Sequence, residues 1–497
     1  MNIKQAKEEI KHTVQAYLLK DAQGVYRIPA IRQRPILMMG PPGIGKTQIM
    51  EQIAGECGIG LVAYTITHHT RQSAVGLPFI KQECFEGKEY SVTEYTMSEI
   101  IASVYHRIRD FGQKEGILFI DEINCVSETL TPTMLQFLQC KTFGNQKIPE
   151  GWIIVAAGNP PEYNKSVRDF DMVTLDRVRT LDIEADLEVW KPYAREQQIH
   201  GAVFSYLELC PRNFYRVEAD VDGLQFVTAR GWEDLSSLMK LYEELELPVT
   251  EELVHEFIRN GEVAQDATAY FDLYRKYRED YGIPEILKGN VKPKVYERLL
   301  HADFDEKISV VNLLLDALQL NFADAYREKY VTDAWYQFLK AFHDGDMTST
   351  QYTEMLREKQ NAFSLAATQQ DGTGSTQTKE ERNLQMRILQ LLQENAPKDE
   401  ELSGEALFDL VRSGFAEQKD LLKNVQEKTG KALEHAFDFL EDAFTTGQEM
   451  LIFITGLTMG REATSFLTQY DCERYQKYNE ELLAGSRRTE LLKELSF

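Results

Sequence analysis

Through the first 190 residues, short apolar runs alternate with longer stretches whose apolar side chains recur every third or fourth position. The runs are Ile36–Met39, Gly60–Thr65, Ile117–Ile120 and Trp152–Ala157, with a weaker one at Thr180–Ile183. Runs this short and this apolar suit buried strands. Their alternation with helical segments predicts a parallel α/β sheet. After about residue 186 the strand pattern largely stops. Arg230–Leu245 puts Leu235, Leu238, Met239, Tyr242 and Leu245 on one helical face, and helical spacing continues to about residue 365. Residues 366–379 are small, polar and poor in apolar side chains, which reads as a linker. Beyond it Leu384, Ile388, Leu391 and Leu392 resume the helical period. No internal repeat is visible.

Length changes this picture by predicting about three domains, since 497 residues exceed one ordinary core. The net charge is −24, but the first 190 residues carry 20 basic and 24 acidic side chains, leaving −20 for the remainder. So acidic a surface repels phosphate backbones and argues against nucleic acid as a partner. The six cysteines show no C-x-x-C spacing, which fits reduced thiols and a cytoplasmic location. His68 and His69 adjoin, with no further ligand at metal spacing. The N-terminal residues have no apolar core and do not read as a signal peptide. The longest apolar stretch, Met450 to Met459, is interrupted by Thr455 and Gly456, is too short to span a bilayer and predicts a buried helix or strand.

The chemistry is concentrated after three of the apolar runs. Ile36–Met39 leads directly into Gly40-Pro41-Pro42-Gly43-Ile44-Gly45-Lys46-Thr47, followed by Gln48 and a helix-like segment. This is the G-x-x-x-x-G-K-[ST] pattern, in which glycines let backbone N–H groups turn inward around anionic oxygens at a helix N-terminus. Lys46 is expected to reach the β- and γ-phosphates, and the Thr47 hydroxyl to ligate Mg²⁺. Seventy-five positions after Lys46, the run Ile117–Ile120 ends in Asp121-Glu122. Asp121 is expected to hold the Mg²⁺ shell and Glu122 to activate the attacking water. The third run ends in Gly158-Asn159-Pro160-Pro161, delivering one amide to a sheet edge where ligands bind. A guanine-specific N-K-x-D is absent, because Asn164-Lys165-Ser166-Val167 has valine in place of the discriminating aspartate; ATP is therefore the expected nucleotide.

These elements in this order resemble the AAA+ ATPases, and Ala156-Ala157-Gly158-Asn159-Pro160 followed by Leu175-Asp176-Arg177 resembles the MoxR and dynein-related branch. The resemblance covers roughly residues 30–245. It implies that Gly40 to Thr47 form Walker A, that Asp121 and Glu122 form Walker B, and that Asn159 is sensor 1. It implies an arginine finger at Arg177, with Arg179 and Arg168 as alternatives, because Val178 and Arg179 depart from the aromatic that often follows L-D-R. Arg230, in Thr228-Ala229-Arg230-Gly231-Trp232, resembles sensor 2. Two hairpin insertions mark the branch, with candidates at Leu77–Ile80 plus Cys84–Tyr90 and at Cys140–Gly151 around Gly144-Asn145.

The implied fold is an α/β P-loop NTPase domain of the AAA+ type, then a helical lid and a helical C-terminal region. The expected bounds are 1–185 for the ATPase core, 186–285 for the lid, 286–365 for a helical extension, 366–380 for the linker and 381–497 for a C-terminal module. The implied function is an ATP hydrolase that forms a homo-oligomeric ring, a hexamer, and remodels a protein client, with a von Willebrand factor A domain protein as partner. A metal-chelatase motor subunit, a non-hydrolysing nucleotide-dependent scaffold and a DNA motor are the competing readings. The intact Glu122, Asn159 and Arg177 weigh against the scaffold, and the charge weighs against the DNA motor.

Overall fold

The computed structural model describes the chain except for residues 69–75, 127–129, 144–145, 164–169, 221–222, 369–378, 398–402, 445–446 and 495–497. Arg168, His69, Gly144, Asn145 and the Asn164–Val167 segment therefore lie outside the described residues, as does most of the expected linker. The chain divides into two compact units. The first holds Met1–Val189 together with Thr228–Arg230; the second holds Trp190–Val227, Gly231–Ala367 and the helices after residue 379.

The first unit is built on a five-stranded sheet of β1 (Ile36–Met39), β2 (Gly60–Thr65), β5 (Gly116–Asp121), β8 (Trp152–Gly158) and β9 (Arg179–Asp182). Their order is β2-β5-β8-β1-β9, and every neighbouring pair is parallel. The strands are continuous apolar runs because helices cover both faces of the sheet. On one face Ile36, Met38, Phe119 and Val155 pack with Ile10 of α1 (Ile3–Tyr17) and Ile53 of α2 (Lys46–Cys57). On the other, Leu37, Leu118 and Ile154 pack with Ile101 of the helix Glu99–Phe111 and Phe137 of the helix Thr131–Cys140. Each such fully buried side chain stabilises the unit by about 1.5–3 kcal/mol. The parallel register brings the carboxyl ends together: Met39 pairs with both Gly158 and Asp182, and Thr65 with Asp121.

Both expected hairpins are present. The first pairs β3 (Pro78–Phe85) with β4 (Lys88–Tyr95), and the second pairs β6 (Thr142–Phe143) with β7 (Gln146–Lys147). The first leaves Phe79, Ile80, Phe85 and Tyr90 exposed.

The second unit is mostly helical, with one addition to the expectation that strands stop near residue 186. Arg216–Asp220 and Gly223–Val227 form an antiparallel hairpin, β10 and β11. The helix expected over Arg230–Leu245 runs Ala229–Glu244 and buries Leu235 and Met239. Leu245, expected on that face, lies past its end and is exposed. The stretch Met450–Met459 belongs to the helix Gln448–Met459, with Phe453, Ile454 and Leu457 buried. Residues beyond the linker pack against the helix Phe304–His343, earlier in the chain, rather than as a module apart: Leu384, Ile388 and Leu392 share one core with Val331, Trp335 and Phe338. The helix Phe304–His343 is long and apolar enough by length and composition to cross a membrane, and 67% of its apolar window is buried inside the protein. All six cysteines are free thiols.

Candidate active site

The carboxyl edge of the sheet gathers the polar residues that follow its strands. Gly40 leaves β1 with its N–H donating to the Gly158 carbonyl, 3.3 Å away. A Cβ on Gly40 would lie 2.8 Å from the Ile183 carbonyl, so only glycine fits between the strand ends. Gly43 and Gly45 take φ of +75° and +88°, the left-handed region that glycine enters without penalty. Gly45 is the N-cap of α2 and supplies no side-chain cap, so the first-turn N–H groups of Lys46, Thr47 and Gln48 face the loop as an anion site. Pro41, Pro42 and Ile44 fill the rest of the loop.

Lys46 is buried. Its ammonium donates to the carbonyls of Gly40 (2.5 Å) and Pro41 (3.1 Å), and to Oδ1 of Asn159 (2.7 Å). Burial pushes its pKa down to about 8; the nearby Asp121 charge opposes that, and Arg230 adds to it. The Thr47 hydroxyl donates to Oδ2 of Asp121 across 3.0 Å, while Oδ1 of the same carboxylate accepts from the Glu122 N–H at 2.9 Å. Glu122 itself sits at φ +56°, a left-handed conformation uncommon outside glycine, which turns the chain sharply off β5. Its Oε2 accepts from the Thr67 hydroxyl at 2.9 Å.

The structure thus brings Lys46, Thr47, Asp121, Glu122 and Asn159 to one edge. Two further residues there were not singled out from the sequence. Thr67 lies just past β2 and is legible only once β2 and β5 are known to be neighbours. Asn124 is buried, donates from Nδ2 to the Asn159 carbonyl (2.8 Å) and accepts from the Asn159 N–H (3.3 Å). Polar residues directly after a carboxylate-tipped strand are the signal that would have flagged it.

The arginines divide clearly. Arg177 is exposed, and its guanidinium makes no hydrogen bond or ion pair with any described residue; its field acts on Asp171, whose carboxyl is held below its usual range first by hydrogen bonding to Thr174. Arg179 donates to the Thr13 hydroxyl at 2.6 Å and pairs with the Glu9 carboxylate, both on α1. Arg230 is exposed, and the Cβ atoms of Arg230 and Thr228 lie 3.3 Å from the place a Gly43 Cβ would occupy. Among the described residues no cluster of three or more His, Cys, Asp or Glu could hold a metal.

A parallel sheet with a glycine-cradled lysine after β1, and with two carboxylates at the end of β5, one strand removed across β8, defines a P-loop nucleotide-binding domain. Residues 36–173 match the family described as "ATPase family associated with various cellular activities (AAA)", so this chain carries an AAA ATPase domain. The match ends before Arg177 and Arg230. Over 54 residues the chain is 41% identical to the ATP-dependent zinc metalloprotease FtsH of Hahella chejuensis (strain KCTC 2396), covering 11% of this chain and 8% of that protein. Over 161 residues it is 29% identical to ATP-dependent zinc metalloprotease FtsH 4 of Sorangium cellulosum (strain So ce56), covering 32% of this chain and 22% of that protein. The similarity therefore spans under a quarter of either relative.

Proposed function

We propose that this protein is an ATP-hydrolysing AAA+ machine of the MoxR type, which assembles into a ring and remodels a protein partner in the cytoplasm. The observation that carries the reading is the joint placement of Lys46, Thr47, Asp121, Glu122 and Asn159 at one sheet edge. The MoxR branch draws support from the hairpins β3–β4 and β6–β7, and from the Ala156–Pro160 and Leu175–Arg177 sequences. The von Willebrand factor A partner rests on the resemblance alone. The names of the two relatives include a zinc protease activity. This sequence has no H-E-x-x-H; its nearest approach, His255-Glu256-Phe257-Ile258-Arg259, has arginine where the second ligand belongs. Their ATPase character is the part proposed here.

In this reading the N–H groups at the start of α2 and the Lys46 ammonium bind the triphosphate. The hydroxyl of Thr47 and the carboxylate of Asp121 are two oxygen donors suited to a hard divalent cation, and Mg²⁺ is the ion they would hold. Bound there, Mg²⁺ supplies charge neutralisation at the phosphates. Glu122 takes the proton of the water whose oxygen bonds the γ-phosphorus as the bond to ADP breaks. Asn159 orients that water and the γ-phosphate, with Arg230 as sensor 2. Arg177 lies on a surface with exposed Met172 and Val173, which suits a finger reaching a neighbouring subunit's site.

The test is steady-state ATP hydrolysis against protein concentration for the wild type, Glu122→Gln and Arg177→Ala. The reading requires activity that rises steeply with concentration, with both variants inactive while Glu122→Gln still binds ATP. Concentration-independent hydrolysis, or a silent Arg177→Ala, removes the shared site.

A further inference from the structure

We infer that Asn124 is a positioning residue for hydrolysis, one that fixes Asn159 against the Glu122 turn; the inference rests on the ATPase reading above. Its carboxamide treats the Asn159 backbone as a neighbouring strand would. Nδ2 donates to the Asn159 carbonyl at 2.8 Å and Oδ1 accepts from the Asn159 N–H at 3.3 Å. One residue earlier, the Ile123 N–H donates to the Ala157 carbonyl at 2.9 Å. Three hydrogen bonds thus stitch the turn carrying Asp121 and Glu122 to the end of β8 carrying Asn159. The Asn159 side chain in turn accepts from the Lys46 ammonium. Asn124 is therefore the side chain through which the spacing between Glu122, Asn159 and Lys46 is held.

A separate observation gives the same side chain a fixed place. A Cβ on Gly158 would lie 2.7 Å from Asn124 Oδ1 and 3.0 Å from its Cγ. Gly158 has no positive φ to explain it; the space it leaves is taken chiefly by the Asn124 carboxamide, with the flexible Met39 Sδ next at 3.1 Å. The amide is also buried, so a lost partner is not replaced cheaply by water. Asn124 touches neither carboxylate nor ammonium by any described bond and acts through Asn159.

The experiment uses the full chain and measures ATP hydrolysis and binding of a fluorescent ATP analogue for wild type, Asn124→Ala, Asn124→Asp, Gly158→Ala and the Asn124→Ala/Gly158→Ala double variant. Asn124→Ala should lower kcat roughly tenfold to a hundredfold, as misplacement of reacting groups does, while nucleotide affinity changes little. Gly158→Ala should be markedly more harmful with Asn124 present than without it, where only the flexible Met39 Sδ has to give way, so the cycle is non-additive. In Asn124→Asp a buried carboxyl with a raised pKa regains a donor when protonated, so its activity relative to wild type should recover as pH falls toward about 6. A wild type that binds but does not hydrolyse ATP overturns the ATPase reading and this inference with it. An active wild type with unchanged kcat in Asn124→Ala overturns the inference alone. So does an Asn124→Ala variant that loses nucleotide binding and melting temperature together, without pH recovery in Asn124→Asp, since that is a merely structural role.

Discussion

The hydroxyl of Thr47 and the carboxylate of Asp121 meet at 3.0 Å, although 74 positions separate them in the chain. The parallel pairing of β1 with β8, and of β8 with β5, brings the start of α2 beside the end of β5. Thr47→Ala and Asp121→Asn each remove one oxygen donor of the proposed Mg²⁺ site. Both should raise the Mg²⁺ concentration needed for half-maximal hydrolysis by tenfold or more, in the range seen when groups supporting a metal are removed. A Mg²⁺ titration at saturating ATP reads this directly, and an unchanged midpoint in both variants removes the site.

Arg177 and Arg179 are two positions apart and should behave oppositely. Arg179 is tied to Glu9 and Thr13 but partly exposed, so Arg179→Ala should cost about 0.5–1 kcal/mol of stability. Arg177 has no such tie among the described residues, so Arg177→Ala should leave stability within about 0.5 kcal/mol while abolishing concentration-dependent hydrolysis. Denaturant melts beside hydrolysis assays check both halves. A destabilised Arg177→Ala, or an Arg179→Ala that is stable but inactive, would exchange the two roles.

The sheet was legible because its strands are buried on both faces: β1 and β2 have the limits their apolar runs mark, and β5 and β8 extend by one residue or so. The β3–β4 hairpin was placed, but its second strand was expected too early. Glu86 and Gly87 take successive positive φ values, as a two-residue mirror-image turn demands, and so set the turn one strand-length from Pro78. The β10–β11 hairpin is short and lies between helices, so no run of apolar positions marks it out. Thr67 was not legible, because its partner lies 55 positions away and no local pattern links them; Asn124 is marked only by its place just after a carboxylate-tipped strand, since its partner lies 35 positions away. Helical period likewise marks which face of Lys379–Glu394 is apolar without saying what covers it.

What covers it is the helix Phe304–His343, and this gives a stability prediction. Leu392 is fully buried in one core with Trp335 and Phe338. Leu392→Ala should cost about 2–5 kcal/mol, the range for truncating a buried leucine where the cavity cannot collapse. The change should appear in the unfolding transition of the helical unit, while fluorescent nucleotide binding to the first unit is retained. A cost below about 1 kcal/mol would mean that the residues after the linker do pack apart.

Lys46 makes the pH dependence of nucleotide binding opposite in sign to that of stability. Burial holds its pKa at about 8, against 10.5 for an exposed lysine. Between those values the unfolded chain binds more protons than the folded one, so this group's contribution to stability rises as pH climbs from about 8 to about 10.5. A triphosphate beside the ammonium favours its charged form and pulls the pKa back up. Binding above pH 8 must therefore take up a proton, and affinity must fall as pH rises past 8, approaching about tenfold per pH unit. Calorimetry at pH 8.5 in two buffers of different ionisation enthalpy counts that proton: about three quarters for the wild type and none for Lys46→Met, where residual binding allows measurement. Equal apparent enthalpies in the two buffers for the wild type would show that Lys46 is already charged, and that the carbonyls of Gly40 and Pro41 compensate its burial.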